Sequence, residues 1–415
     1  MPAVSLPQPQ DRLGQYRLLY PLGQGGMASV FVAEGEAGPH KGERVACKIL
    51  LPHLHSDERW RAQLFAEAHT TAAVQHDNVI RVLDIPEDRN AGFFVMQWRD
   101  GLPLDRLLAL AGKLEVPVAC TVLAQAARGL AAAHAAKDAQ GQPLHIVHRD
   151  VSPHNLHVGS DGIVKLLDFG IAAAQGHARL TRTGEFKGKL AYVAPEQITR
   201  SHPIDFRCDL WALGLVAYEV LTGRCLFAAD DEATTLWNVT AAEVPTLAAL
   251  GCAVDPALAA IIEACVQRDP AHRPARAADV AQAFEAVAAE PARLARLVQQ
   301  HTSTVAARPQ PKPARRKVWF GVAAIASAAT ITWLALPAAP PKSPQTIEAP
   351  RPAEPEPRAA AVAPSPPAAA ATPPSLGTMN AKRRAPARTG ARPPAAKPHP
   401  DLVSNPYKDL VGNPY

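Results

Sequence analysis

The chain of 415 residues is 47% hydrophobic and carries 41 prolines and a formal net charge of +5. That length holds one large or two medium domains with a real core, and the mild charge lacks the aromatic-interleaved basic patches of a nucleic-acid binder, so no nucleic-acid partner is expected. Its six cysteines never form a C-x-x-C pair, which argues against zinc and for a reduced cytosolic setting of the region that holds them.

Residues 1–15, "MPAVSLPQPQDRLGQ", have neither a basic start nor an apolar core, and read as an extension rather than a signal peptide. From about residue 16 to 287 the pattern is globular. "YRLLYPLGQGGMASVFVAE" and "ERVACKIL" read as strands around a glycine turn, with "GEAGPHKG" as a long hairpin loop. "RWRAQLFAEAHTTAAV" has helical periodicity and "GFFVMQW" is an apolar strand. "VPVACTVLAQAARGLAAAHAAKD" and "CDLWALGLVAYEVLTG" read as apolar helices, the second ending at a glycine cap. Strands first and helices later predict an α+β chain with a small β-rich lobe and a larger helical one.

Composition shifts near residue 288, where a basic, proline-containing linker is expected to run to residue 317. Residues 318–336, "VWFGVAAIASAATITWLAL", carry no charge, and as a helix would span about 28 Å, close to the thickness of a bilayer's hydrocarbon core. Trp319 and Trp333 lie near its ends and Arg315, Arg316 and Lys317 precede it. The expectation is a single-pass inner-membrane protein with its N-terminal region cytoplasmic and its tail extracytoplasmic. A buried soluble helix is the alternative. Residues 337–415 are rich in proline and alanine and should be disordered. They close on a tandem repeat, "DLVSNPY-K-DLVGNPY", which reads either as a docking motif for an envelope partner or as a chance duplication.

Several residue types in this pattern bear on chemistry. Gly23, Gly25 and Gly26 in "LGQGGMASV" would let backbone approach phosphates, although a plain strand-linking turn needs glycines too. Lys48 interrupts an apolar strand, either as an edge residue facing water or as a functional cation that Glu67 on the next helix could pair. In "HIVHRDVSPHNLHV", Asp150 can take the proton of an attacking hydroxyl. Asn155 and, in "LLDFG", Asp168 offer oxygen ligands suited to magnesium. "HLH" at residues 53–55 reads as loop rather than as a metal pair.

Together with "APE" at 194–196, "CDLWALG" and "RDPAHRPA", these motifs make residues 16–287 resemble a eukaryotic-type protein kinase of the bacterial membrane-linked serine/threonine group. The resemblance implies a bilobal kinase fold, ATP and Mg²⁺ (or Mn²⁺) as cofactors, protein substrates, and a homodimer for autophosphorylation. Carried over, the loop of Leu22, Gly23, Gln24, Gly25, Gly26, Met27, Ala28 and Ser29 covers the nucleotide, with Val30 and Ala46 against the adenine. Ala28 stands where a third glycine is usual. Met96 backs that pocket, and Gln97 and Trp98 form the hinge. Lys48 holds the α- and β-phosphates and pairs with Glu67; Asp150 is the catalytic base; Asn155 and Asp168 bind the metal. Glu196 pairs with Arg273, Asp209 braces the catalytic loop, and Arg149 anchors a phosphate on Thr181 or Thr183. Pro153 favours serine/threonine over tyrosine as acceptor. A nucleotide-binding scaffold without transferase activity is the alternative function.

One departure stands out. The family's loop lysine is replaced by Ser152, while Lys189 in "GKLAYVAPE" replaces the threonine that this lysine would meet. The pair predicts an exchange, with Lys189 delivering the ammonium and Ser152 the hydroxyl.

Overall fold

The computed structural model describes residues 7–86, 92–170 and 189–306, which fall within one compact unit. The N-terminal part is a six-stranded antiparallel sheet in the order β1-β2-β3-β4-β6-β5. Its strands are β1 (Arg12–Leu13), β2 (Tyr16–Gln24), β3 (Ala28–Gly35), β4 (Arg44–Leu50), β5 (Val82–Asp84) and β6 (Phe93–Gln97). Successive side chains of a strand face opposite sides. In β4 this sends Val45, Cys47 and Ile49 into one apolar cluster with Tyr16, Leu18 and Phe31. Ala46 and Leu50 go to the other face, with Met96 and with Leu64 and Ala68 of helix α1 (Glu58–Ala72). Lys48 shares the parity of Ala46 and Leu50, so strand geometry alone turns it toward α1. The expected hairpin loop between β3 and β4 holds a short 3₁₀ turn, Gly38–His40.

A second, three-stranded sheet is built from β7 (Gly101–Pro103), β8 (Leu156–Gly159) and β9 (Val164–Leu166). Ile80 N–H donates to Leu166 O at 2.9 Å and Leu166 N–H to Asn78 O at 2.8 Å, tying β9 to the chain that leaves α1. Against this sheet pack α2 (Leu104–Ala111) and α3 (Val116–His134); the remaining helices, α4 (Pro195–Thr199), α5 (Arg207–Thr222), α6 (Glu232–Ala241), α7 (Pro256–Cys265) and α8 (Ala277–Glu285), follow in the chain, with α5 and α8 packing on α3. Both α3 and α5 are apolar on nearly every side because both are buried in the large core. Helix α5 ends as predicted at Gly223, whose φ of 73° fits the left-handed cap. Among the described residues, α3 is the one helix long and apolar enough to cross a membrane, yet 72% of its apolar window is buried in the protein core.

Part of the stretch expected as a linker, residues 288–317, is instead helical. The fold continues into α9 (Pro291–Ala306), which packs on α3, β7 and α2. Leu294 and Val298 are fully buried, and Ala289 N–H donates to Pro117 O at 2.9 Å. Leucine and valine one helical turn apart give this stretch an apolar stripe, so it docks rather than runs as a linker. The expected membrane segment at 318–336, the tail at 337–415 and Thr181 and Thr183 lie outside the described residues.

Candidate active site

Two clusters of charge form where β4, α1 and the loops flanking β8 and β9 converge. In the first, Lys48 Nζ lies 2.5 Å from Glu67 Oε1 and 2.9 Å from Asp168 Oδ1. Lys48 and Glu67 are each only 6% exposed. One ammonium therefore serves two carboxylates. Burial pushes the Glu67 carboxyl up, against the pull of Lys48. Burial likewise opposes the charge on Asp168, but Lys48 outweighs it and holds that carboxyl below its ordinary range. Lys48, for which burial alone would favour the neutral form, is kept charged by Asp168 and Glu67 and shifts upward.

In the second cluster Asp150 Oδ2 accepts from Asn155 Nδ2 at 2.7 Å and from Lys189 Nζ at 2.9 Å. Asn155 Nδ2 also reaches the Asp150 carbonyl at 2.7 Å. Burial weakens the charge of Lys189, yet the Asp150 carboxylate more than offsets this and raises its pKa above the ordinary value of 10.5. The Ser152 hydroxyl is buried and bonds to nothing among the described residues. The predicted exchange is thus seen on one side only: Lys189 brings its ammonium to Asp150, while Ser152 makes no hydrogen bond to Lys189.

The backbone holding these groups is strained. Arg149 and Asp168 have φ values of 65° and 44°, which cost about 1–3 kcal/mol each for residues with a Cβ. Asp209 over-determines the first of these turns. Its Oδ1 accepts from Arg149 N–H at 2.7 Å and its Oδ2 from His148 N–H at 2.8 Å. His134 Nε2 also meets Oδ2 at 2.8 Å. The carboxylate is fully buried; burial opposes its charge, but the His134 hydrogen bond leads the effects that lower its pKa below 3.8. Farther back, Arg273 donates to Glu196 through its two terminal guanidinium nitrogens, at 2.6 and 2.9 Å, with both side chains buried. This fork fixes the start of α4, just after Lys189.

The remaining predicted residues line the sheet above. Met96, Ala46 and Ala28 are buried together, with Val30, Met27 and Trp98 against them. Arg44 stacks over the Trp98 ring at 5.6 Å. Gln97 pairs with Val45 at the end of β6. Leu22, Gly23 and Gln24 form the exposed end of β2 and Gly25 and Gly26 begin the turn to β3, with Ser29 buried at the start of β3. A Cβ at Gly23 would meet nothing within 4 Å, and one at Gly25 only the Ala28 carbonyl at 3.8 Å. Packing within the chain therefore does not require these glycines.

Three groups escaped the sequence reading. His134 was one polar residue at the end of an apolar helix, and its partner Asp209 is far along the chain. Gly170 belongs to a quoted motif, yet only its neighbour Asp168 drew notice; its N–H donates to His148 O at 2.7 Å. Tyr192 donates its hydroxyl to Glu219 on α5, a contact that no local pattern announces. As for a metal, the Asn155 amide nitrogen is committed to Asp150, which leaves its side-chain oxygen and the partly exposed Asp168 carboxylate as the donor set. One carboxylate and one amide oxygen fit magnesium that takes its other ligands from phosphates and water.

A model of the protein kinase domain matches residues 16–285. The tyrosine-protein kinase MasK of Myxococcus xanthus is 37% identical over 227 residues, 54% of this chain and 35% of MasK. The serine/threonine-protein kinase PrkC of Bacillus subtilis is 31% identical over 277 residues, 66% of this chain and 41% of PrkC. PknA of Mycobacterium tuberculosis, also a serine/threonine-protein kinase, is 34% identical over 281 residues, 66% of this chain and 62% of PknA. The chain thus matches less than two thirds of the length of each of these relatives. The solved PknI kinase domain of Mycobacterium tuberculosis superposes with a TM-score of 0.52 at 22% identity, covering 68% of this chain and 100% of that one, and so shares the fold. With the family's domain spanning more than half of its length, the chain belongs to the protein kinase family.

Proposed function

We propose that the chain is a serine/threonine protein kinase that transfers the γ-phosphoryl group of ATP to protein hydroxyls in bacterial signal transduction. The observation that carries this reading is the joint assembly of Lys48, Glu67 and Asp168 beside Asp150 and Asn155. A scaffold that only binds nucleotide needs no base within reach of an acceptor. Lys48, pinned by Glu67, is the cation for the α- and β-phosphates. The glycines at 23 and 25, which packing does not demand, leave room for backbone amides to close on them. Ala46, Val30 and Met96 supply the apolar wall for the base, and Gln97 and Trp98 the hinge. Asp150 orients the acceptor hydroxyl and receives its proton. Asn155 and Asp168 would hold Mg²⁺, which when bound would supply positive charge to offset that of the phosphates; Mn²⁺ would suit the same oxygens.

The frame around Pro153 and two of the three named relatives favour serine or threonine; MasK, named a tyrosine kinase, keeps tyrosine open to test. The charge-free stretch at 318–336 behind Arg315–Lys317 supports a single inner-membrane span, with the kinase domain cytoplasmic and the proline-rich tail outside. The terminal repeat would then meet an envelope partner, and two chains would meet for autophosphorylation.

Incubation of the full chain with γ-labelled ATP, Mg²⁺ and a generic protein acceptor tests the reading. Label should appear on serine and threonine after acid hydrolysis, and should vanish with chelator or in Asp168→Ala. Label confined to tyrosine would refute the acceptor assignment. Tight nucleotide binding with no transfer at all would favour the scaffold.

A further inference from the structure

The site has three carboxylates, Glu67, Asp150 and Asp168, but a catalytic loop with no lysine. Ser152 cannot compensate: it is 1% exposed, and its hydroxyl has no partner among the described residues. Lys48 is committed to Glu67 and Asp168. Lys165 is spent on the carbonyls of Asp77 and Val79, at 2.8 and 3.1 Å. The Arg149 backbone is clamped by Asp209. Lys189 alone among these cations touches the base, 2.9 Å from Asp150 Oδ2. Asp150 accounts for one of its three ammonium protons. Its side chain is 32% exposed, so the remaining donors are not sealed in the core.

We propose that Lys189 is the catalytic cation of this kinase, contacting the transferring phosphoryl group from the segment that precedes "APE" instead of from the catalytic loop. The inference deepens the kinase reading above and rests on it. In the transfer, the bond from the acceptor oxygen to phosphorus forms as the bond from phosphorus to the bridging oxygen breaks. The electron pair stays on the nucleoside diphosphate, and the hydroxyl proton passes to Asp150. Charge gathers on the oxygens of the moving group, between the base and the metal ligands. An ammonium anchored on Asp150 stands beside that path.

Two further features support this placement. Lys189 lies within the electrostatic reach of Asp168 and Lys48 as well as Asp150, so it belongs to the same confined group of charges. Its backbone also rests on a fixed shelf. Lys189 O accepts from Tyr192 N–H at 3.1 Å, the Tyr192 hydroxyl bonds Glu219, and Glu196 is forked by buried Arg273. A donor so anchored needs little reorganisation at the moment of transfer.

The test compares the full chain with Lys189→Ala, Lys189→Met and the swap Ser152→Lys/Lys189→Thr, measuring kcat, KM for ATP and nucleotide affinity. Loss of one preorganised donor to the transition state should lower kcat about 10²–10³-fold in both single variants, with nucleotide affinity within about threefold of the parent. The swap, which returns a lysine to the loop, should recover at least about tenfold of that loss. A thermal melt of each variant reports folding, and Lys189→Met, which keeps the aliphatic stem, covers a misfolded alanine variant. Single variants within about threefold of the parent would overturn the proposal. Loss without recovery in a folded swap would also overturn it, since Lys189 would then act only by holding Asp150. Absence of transfer by the parent chain would instead remove the kinase reading on which it stands.

Discussion

A methyl group at residue 170 would stand 2.8 Å from Asp150 Cβ and 3.1 Å from His148 O, closer than packed atoms tolerate. Neither neighbour can swing aside, because His148 is anchored through Asp209 and Asp150 through Asn155. Gly170→Ala should therefore displace the base. Steady-state kinetics should show kcat reduced by at least about tenfold, with KM for ATP little changed, as expected when a misplaced group loses its near-attack geometry. Asp209 gives a pH prediction. Its folded pKa lies below 3.8, so the stability it adds is complete above that value and fades as pH falls through the lowered one. Asp209→Asn would aim an amide N–H₂ at one of two backbone donors, costing about 1.5–3 kcal/mol at neutral pH. Melts of parent and variant across acid pH should begin to draw together only below about pH 4 and should meet once pH has fallen through the lowered folded pKa, where the folded parent loses the same charge.

At the scale of elements, alternation and helical periodicity made β2 to β4, α1, β6, α3 and α5 legible, because each carries its own apolar pattern. Motif spacing made Asp150, Asn155 and Asp168 legible as one group. What sequence alone did not supply were meetings across long separations: Lys48 with Asp168 and His134 with Asp209. These pairings are made by packing of lobes and helices, for which no short stretch carries a signal, whereas the departures at Ser152 and Lys189 did point Lys189 toward the catalytic loop. Helix α9 was missed for another reason. Its stripe of Leu294 and Val298 is short and alanine-diluted, and the prolines that follow dominate the composition. Since Leu294 is fully buried against the large core, Leu294→Ala should cost about 2–5 kcal/mol of stability in denaturant titration. A loss under about 0.5 kcal/mol, the scale of surface changes, would return this stretch to the linker first expected.

Across the whole molecule, function depends on the sheet and the helical part being joined at β9. The Asn78–Leu166–Ile80 hydrogen bonds hold the α1–β5 connection against β9, and thereby place Lys48 and Glu67 beside Asp168. Strain at Arg149 and Asp168 is tolerated because Asp209 and Lys48 grip those turns from different elements. Such an arrangement is expensive to keep for nucleotide binding alone. The most direct test is a single-turnover experiment, with the full chain in excess over labelled ATP and Mg²⁺, comparing the parent with Asp150→Asn. Both proteins should bind the nucleotide, and only the parent should move label to protein hydroxyls, with the variant slower by at least about 10²-fold. Equal transfer by both would contradict the role of Asp150, and binding without transfer by the parent would contradict the kinase account itself.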